Sequence, residues 1–199
     1  MVPARVARVG DGMQDGVAVG PLVSRAAQER VQGWIEKGLA EGARLIVDGR
    51  DPDAPAEGAF VGPTIVQVEP HMEIAKEEVF GPVLSIVNVG SFDEAIELVN
   101  SSRYGNGTSI FTESGAAARR YRRDVEVGMI GVNIGVAAPV AFFPFSGWKD
   151  SFLGDLHAHG GDAVEFFTRK KTVTSRWYGD EGEVHGSFFV EMPASDGKE

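Results

Sequence analysis

The run KEEVFGP at residues 76–82 places two carboxylates and an aromatic ring directly before a Gly-Pro turn and an apolar strand. A carboxylate at Glu77 or Glu78 would accept hydrogen bonds from a diol such as a ribose, and the ring of Phe80 would pack against the same ligand. The same two acids would equally serve as solvated surface charges. The residue types alone leave both interpretations open.

A second group of chemically capable side chains is the run DLHAH at residues 155–159, followed by Asp162. Two imidazoles two residues apart, flanked by carboxylates, are ligands for a divalent metal, so a metallohydrolase that uses His157 and His159 is one hypothesis. The spacing is weakly specific, and the histidines follow SFLG instead of an apolar strand. We therefore predict a polar surface loop here and no metal site.

Cysteine is absent from the 199 residues, which excludes disulfides, thiolate metal sites and a cysteine nucleophile within this sequence. The chain has 29 acidic and 19 basic residues, a formal net charge of -10, which disfavours nucleic-acid and anionic-membrane binding. No Gly-rich phosphate loop is present, and Ser146 lacks the GxSxG context of a serine nucleophile. The most apolar stretch, residues 135–145, is too short to span a membrane. We predict a soluble, cytoplasmic protein.

Apolar periodicity and turn signals predict strands that alternate with helices, and hence an α/β fold with a largely parallel sheet. Ser91 and Glu94 have the spacing of a capping box, and Ser114 begins another helix whose arginines we interpret as a solvated or interface face. Residues 135–161 lack a pattern, and loops of that length are usually functional or pack against another part of a protein. The predicted helices cover residues 23–39 with Gly42 as a stop, a segment that begins after Ser91 and runs through Val99, 114–124 and 163–168. The predicted strands cover 43–47, 60–68, 83–89, 108–112, 129–134 and 173–177.

The run KEEVFGPVL resembles the signature of the aldehyde dehydrogenase superfamily around its cofactor-contacting glutamate. Other runs are similar to the family in the same order along the chain: VGPLVS at 19–24, EGARLIVDGR at 41–50, FVGPTIV at 60–66 and YGNGTSIFT at 104–112. The resemblance is strongest to the CoA-acylating methylmalonate-semialdehyde dehydrogenase branch, through GVN at 131–133, FSG at 145–147, SFLGD at 151–155 and KTVTSRW at 171–177.

The resemblance reaches the C-terminal portion of that family. It implies that residues 1–170 form part of the catalytic domain, that 171–178 form an oligomerisation strand, and that 179–199 are a C-terminal tail. The strand from Thr172 to Trp177 would pair with another subunit of a homo-oligomer or with a complementing N-terminal chain. The cofactor domain, the oxyanion-hole asparagine, the general-base glutamate, the nucleophilic cysteine and the substrate-binding arginines would all lie upstream.

The resemblance also assigns roles to three residues. Glu78 would hydrogen-bond the nicotinamide ribose of NAD, Phe80 would pack beside the nicotinamide, and Phe145 would line the aldehyde pocket. In the family reaction a thiolate attacks the aldehyde, hydride passes to NAD, and this branch releases the thioester to CoA, as in valine and pyrimidine catabolism. No residue of this chain is predicted to be catalytic.

We therefore expect the chain to be inactive alone and to use NAD and CoA only with the upstream portion. The alternative is a non-catalytic assembly or binding module that docks on a full-length homologue. If an absent portion completes the site, the isolated chain should expose apolar surface.

Overall fold

The computed structural model describes residues 7–175, so Trp177 and the predicted tail at 179–199 lie outside the described residues. The helices are α1 Arg25–Ala40, α2 Glu73–Lys76, α3 Phe92–Ser101, α4 Gly115–Asp124 and α5 Gly160–Phe167. The strands are β1 Arg44–Val47, β2 Thr64–Gln67, β3 Val83–Ile86, β4 Tyr104–Gly105, β5 Gly107–Ile110, β6 Met129–Val132 and β7 Trp148–Lys149.

The chain divides into two compact units. One consists of Met1–Ala138 and Phe145–Leu153, and the other consists of Pro139–Pro144 and Gly154–Glu199. The first unit contains β1 to β7 and α1 to α4, and the second contains α5. The predicted boundary at residue 170 stays a prediction.

The first unit contains a three-stranded sheet with α1 packed on it. Strand β1 pairs antiparallel with β2, and β2 pairs parallel with β3 in the register Thr64↔Val83 to Gln67↔Ile86. The apolar face of α1 is buried against this sheet and the loops around it, which removes its side chains from water and stabilises the packing. The buried cluster comprises Val31, Ile35, Val61, Val66, Val68, Met72, Ile74 and Val79.

A second cluster in the same unit joins α3 and α4 to the parallel pair β5 and β6. It is formed by Ile96, Tyr121, Val125 and Val127. The Tyr121 hydroxyl lies 2.5 Å from Oγ1 of Thr108 on β5, so its polar end has a partner inside the cluster. Strands β4 and β7 form a separate antiparallel pair of two residues each.

The predicted helix signals are confirmed. The Ser91 hydroxyl accepts a hydrogen bond from the Glu94 backbone N–H at 3.1 Å, and the Glu94 carboxylate accepts one from Gly90 N–H at 2.6 Å. The Ser114 hydroxyl caps α4 in the same way through Ala117. These side chains satisfy N–H groups that have no partner within the helix.

The predicted α/β fold is confirmed, while the sheet is less uniformly parallel than expected. The β2–β3 and β5–β6 pairs are parallel, and the β1–β2 and β4–β7 pairs are antiparallel. Strand β2 begins only at Thr64, after Pro63, which has no N–H to donate to a ladder. Elements α2, β4 and β7 were not predicted, because segments of two to four residues carry no readable periodicity.

The predicted last strand begins at Val173. Residues 172–175 are exposed and belong to no helix or strand in this chain, since a strand requires a hydrogen-bonded neighbour. Their pairing with another subunit stays a prediction. No helix in residues 7–175 is both long enough and apolar enough to cross a membrane.

Apolar side chains are exposed in both units. In the second unit α5 has no buried residue, and Phe167 is 80% exposed. In the first unit Phe80 is 79% exposed and Val136 is 76% exposed.

Candidate functional site

The segment 77–82 connects α2 to β3 and is held at both ends by backbone hydrogen bonds. At one end the Glu77 N–H donates to the Glu73 carbonyl at 3.1 Å. At the other, the Thr64 N–H on β2 donates to the Pro82 carbonyl at 2.8 Å. Helix α2 and strand β2 therefore fix the backbone positions from which the side chains of Glu78 and Phe80 project, even though both residues are exposed.

The turn itself has a strained backbone at Phe80. Its φ is 51°, in the left-handed region where a side chain costs about 1–3 kcal/mol. Next to it, a Cβ on Gly81 would lie 2.6 Å from Cγ2 of Val31, which is fully buried on α1. Glycine is required at 81 because the turn backbone presses directly on α1.

Glu78 lines an open pocket of about 520 Å³ in the first unit. The pocket wall is rich in hydroxyl, amide and carboxylate groups, which suits a polyhydroxylated ligand such as a ribose. Its lining residues are Ala75, Lys76, Glu77, Glu78, Ser102, Tyr104, Asn106, Asp150 and Ser151. An exposed carboxylate on such a wall is able to accept hydrogen bonds from a diol, so the residues present fit this part of NAD.

The neighbouring acid, Glu77, is already engaged. Its Oε2 accepts a hydrogen bond from Nη2 of Arg103 at 2.7 Å and another from the Tyr104 hydroxyl at 3.2 Å. The Arg103 guanidinium lowers the pKa of Glu77, and the same contact raises the pKa of Arg103. Of the two acids that the sequence left open, Glu77 forms an ion pair and Glu78 faces solvent on the pocket wall.

The Glu77–Arg103 contact predicts a pH-dependent stability. Because the folded pKa of Glu77 is depressed, its contribution is present above the unfolded pKa of about 4.3 and is lost as pH falls through the lower folded pKa. We expect Glu77→Gln to destabilise the chain at pH 7 and to approach wild-type stability below about pH 4. Urea unfolding from pH 7 to pH 3 measures this. A Glu113→Gln control should differ less from the wild type in its free energy of unfolding at pH 7. A difference between Glu77→Gln and the wild type that is equal at every pH would contradict the prediction.

Phe145 lies on the wall of a second pocket of about 410 Å³ in the same unit. Its lining includes the β5 and β6 backbone and the loop that follows β6: Asn106, Gly107, Thr108, Ser109, Met129, Gly135, Val136, Ala137, Ala138 and Phe145. Asn106 lines this pocket and the Glu78 pocket alike. The structure thus brings Glu78 and Phe145 to two pockets that share one side chain, while Phe80 lines neither pocket.

The loop beyond β6 is held by Asn133, whose backbone φ is 57°. Its side chain accepts from the Thr112 N–H at 2.8 Å and donates to the Thr112 carbonyl at 3.0 Å. The amide group thereby imitates a backbone pairing partner and extends the β5–β6 ladder by one step. This contact sets where the chain leaves the sheet to form the Phe145 pocket.

Sequence reasoning missed several of the pocket residues. Tyr104, Asn106, Asp150 and Ser151 were not singled out for the Glu78 pocket, although YGNG at 104–107 was recognised within a family-like run. The β4–β7 pair brings Tyr104 opposite Lys149 and so places the Asp150–Ser151 segment beside β4. A two-residue pairing between segments 45 positions apart leaves no signal in the sequence.

The histidine group lies in the second unit, where His157 forms hydrogen bonds with the nearby Asp162. Oδ2 of Asp162 accepts from the His157 backbone N–H at 3.2 Å and contacts its Nδ1 at 3.0 Å. The His157 hydrogen bond lowers the pKa of Asp162. Within residues 7–175 no group of three or more histidine, aspartate or glutamate side chains could hold a metal ion.

The arginines of α4 pair with nearby acids. Arg120 contacts Asp93 and also lies 3.3 Å from Asp124, and Arg123 lies 2.6 Å from Asp124. These arginine side chains are 46% and 75% exposed, so each contact is a surface ion pair that contributes little to the stability of the fold. This face agrees with the prediction of a solvated arginine surface.

Comparison with known proteins identifies relatives for most of the chain. The model of the aldehyde dehydrogenase family matches residues 3–173. Malonate-semialdehyde dehydrogenase 2 from Bacillus thuringiensis (strain Al Hakam) is 55% identical over 171 residues, which are 85% of this chain and 35% of that protein. The chain therefore spans about a third of the length of the curated relatives that it matches.

Two solved structures are similar in fold as well as in sequence. Methylmalonate-semialdehyde dehydrogenase from Oceanimonas doudoroffii superposes with a TM-score of 0.86 at 45% identity, over 89% of this chain and 37% of that one. A putative methylmalonate-semialdehyde dehydrogenase from Sinorhizobium meliloti 1021, complexed with NAD, also has a TM-score of 0.86, at 41% identity over 88% of this chain and 36% of that one.

Proposed function

Because the chain belongs to the aldehyde dehydrogenase family, we propose that it forms part of an NAD-dependent semialdehyde dehydrogenase of the CoA-acylating kind. Its relatives are named for malonate and methylmalonate semialdehydes, and one similar structure is a complex with NAD. The observation that carries the proposal is that Glu78 and Phe145 line pockets that share Asn106.

The proposal gives the Glu78 pocket to the nicotinamide ribose. Glu78 would accept hydrogen bonds from the ribose hydroxyls, and the exposed Phe80 ring would pack beside the nicotinamide. When bound, NAD would supply the hydride acceptor for aldehyde oxidation. The ion pair of Glu77 with Arg103 leaves Glu78 as the available acceptor and reduces the repulsion between two adjacent carboxylates.

The proposal gives the Phe145 pocket to the aldehyde. Phe145 and the loop residues Val136 to Ala138 offer apolar contact for a short acyl chain, and Asn106 stands between that chain and the ribose. The sequence contains no cysteine, so the acyl-carrying thiol would belong to the remainder of the enzyme. In this proposal the present chain binds and orients NAD and the aldehyde, and the thiol that forms the bond to the aldehyde belongs to the rest of the enzyme.

Pairing through residues 172–177 with another subunit or a complementing chain remains part of the proposal, as does a cytoplasmic location. The pairing is supported by the run KTVTSRW at 171–177, which resembles the corresponding run of the same branch. A strand with unpaired backbone groups would obtain its hydrogen bonds from the added neighbour.

A semialdehyde chimera tests the proposal directly. In it, the matching 171-residue segment of this chain replaces the corresponding segment of the Bacillus thuringiensis relative. We expect NADH formation from malonate or methylmalonate semialdehyde with CoA, at a kcat/KM within about tenfold of the relative, a loss of about 1.4 kcal/mol or less. The isolated chain should form no NADH.

One control and two further outcomes make the result decisive. The relative with its matching segment deleted should be inactive, which shows that the segment is required. A chimera that folds with the melting temperature of the relative but forms no NADH would contradict the proposal. If the folded chimera forms no NADH while this chain copurifies with the intact relative, the two results together would favour the non-catalytic assembly module.

A further inference from the structure

One arginine outside the two pockets forms hydrogen bonds to the turn at residues 79–81, which contains Phe80 and directly follows Glu78. Nη1 of Arg30, on α1, donates to the Val79 carbonyl at 2.5 Å, and Nη2 donates to the Phe80 carbonyl at 3.4 Å. The two carbonyls are consecutive, so a planar guanidinium spans them with its two arms. The contact joins segments 49 and 50 residues apart in sequence.

Phe80 depends on its neighbours for this restraint because its own side chain supplies none, whereas Val79 before it is buried in the core. Phe80 has a φ of 51°, and its side chain is 79% exposed, so packing of the ring does not hold this backbone in place. An outlying conformation of this kind persists only where the surroundings enforce it. The surroundings here are α1: Arg30 holds two carbonyls, and buried Val31 packs against Gly81.

The restraint acts on the orientation of the site residues. Rotation of the Val79–Phe80 or Phe80–Gly81 peptide would turn a carbonyl away from Arg30 and swing the Phe80 ring. Glu78 precedes the same peptides and would shift with them. Holding the two carbonyls therefore restrains the backbone from which the Phe80 side chain projects, and the adjoining backbone that follows Glu78.

We propose that Arg30 is a positioning residue that holds the turn at residues 79–81 in its left-handed conformation and so preorganises Glu78 and Phe80 for NAD. This inference rests on the proposed function for its ligand. It rests on the hydrogen bonds and the backbone angle for its geometry, and the two parts can be tested separately.

The geometric part is tested on the full 199-residue chain by NMR. The one-bond Cα–Hα coupling of Phe80 reports the sign of φ. We expect Arg30→Ala to move this coupling toward the value for negative φ, and Arg30→Lys to move it less, since one ammonium reaches a single carbonyl more readily than two. An Arg30→Ala coupling equal to that of the wild type would overturn the proposal.

Gln28 offers a matched control on the same helix. Its Nε2 donates to the Phe60 carbonyl at 2.7 Å, so Gln28→Ala also removes a link from α1 to a loop carbonyl, but away from the turn. We expect Gln28→Ala to lower the melting temperature without changing the Phe80 coupling. If it changed that coupling as much as Arg30→Ala, the role of Arg30 would be general folding and the proposal would be wrong.

The functional part is tested in the semialdehyde chimera. Arg30→Ala should raise the KM for NAD about tenfold, equivalent to about 1.4 kcal/mol, with kcat at saturating NAD within about twofold. A general loss of folded enzyme would instead lower kcat and leave KM unchanged. If Arg30→Ala does not fold, Arg30→Lys decides: it should raise the KM about threefold, and an unchanged KM with an unchanged Phe80 coupling would overturn the proposal.

A failure of the proposed function would look different. If Glu78→Ala left the KM for NAD unchanged, the ligand assignment would be wrong, and the Phe80 coupling would still decide whether Arg30 holds the turn. If Glu78→Ala raised the KM and Arg30→Ala did not, the ligand assignment would stand and the positioning role would fall.

Discussion

Replacing Glu78 by alanine in the semialdehyde chimera is expected to raise the KM for NAD about a hundredfold. A carboxylate that accepts from both hydroxyls of a ribose makes two hydrogen bonds to a charged group, each worth about 1.5–3 kcal/mol, and about 3 kcal/mol corresponds to a hundredfold change. Glu78 is exposed on the pocket wall, so the substitution removes no buried core contact. The melting temperature should therefore stay within about 2 °C of the parent.

Steady-state kinetics at varied NAD concentration measures this effect, and two further variants serve as comparisons. Glu78→Gln keeps the shape and one acceptor oxygen but loses the charge, and should fall between the parent and Glu78→Ala. Glu113→Ala removes an exposed acid that lines neither pocket, and should leave the KM unchanged. A KM for NAD that is the same in Glu78→Ala and Glu113→Ala would show that Glu78 does not contact the cofactor.

Gly128→Ala is expected to destabilise the chain by about 3 kcal/mol, the largest stability effect among these predictions. A Cβ at this position would lie 2.5 Å from the Ser146 carbonyl carbon and oxygen and 2.7 Å from the Gly147 nitrogen. All three are backbone atoms, so no side-chain rotation relieves the overlap. The segment 145–147 would have to move away from β6, and Phe145 would move with it.

Urea and thermal unfolding of the full chain measure this effect. For a chain of this size, a loss of about 3 kcal/mol corresponds to a fall in melting temperature of roughly 6–12 °C. Gly135→Ala is the matched control, because it lies on the Phe145 pocket wall and its added methyl would meet no atom within 4 Å. Equal unfolding midpoints for the two variants would show that the approach of Gly128 to Ser146 is not tight in solution.

The predictable part of the fold depends on local signals. Ser91 with Glu94 and Ser114 with Ala117 form their caps within a single turn, so residue types a few positions apart suffice to mark the helix starts. Strands β3 and β6 are apolar enough to be recognised one at a time. The parallel pairing of β6 with β5 follows from the predicted helix α4 between them, whereas no helix was predicted between β2 and β3 and their pairing was not predictable in this way.

The site was predictable to the level of a motif and no further. KEEVFGP suggested Glu78 and Phe80 as cofactor-contacting residues through family resemblance, yet two adjacent acids are equivalent when only their types are considered. The choice between them depends on Arg103, which lies 26 residues from Glu77 and approaches it only in the folded chain. Arg30 is invisible to the same reasoning, since a helix surface arginine is ordinarily solvated.

By itself the sequence determined the α/β alternation, the helix caps, the lack of any thiol and the family. The tertiary structure decided which acid is paired, which arginine holds the turn, and that Asn106 joins the pockets of Glu78 and Phe145. The physical reason is distance along the chain. Caps and periodicity act over three or four residues, whereas these contacts close loops of 26 to 50 residues through burial of the core between α1 and the sheet.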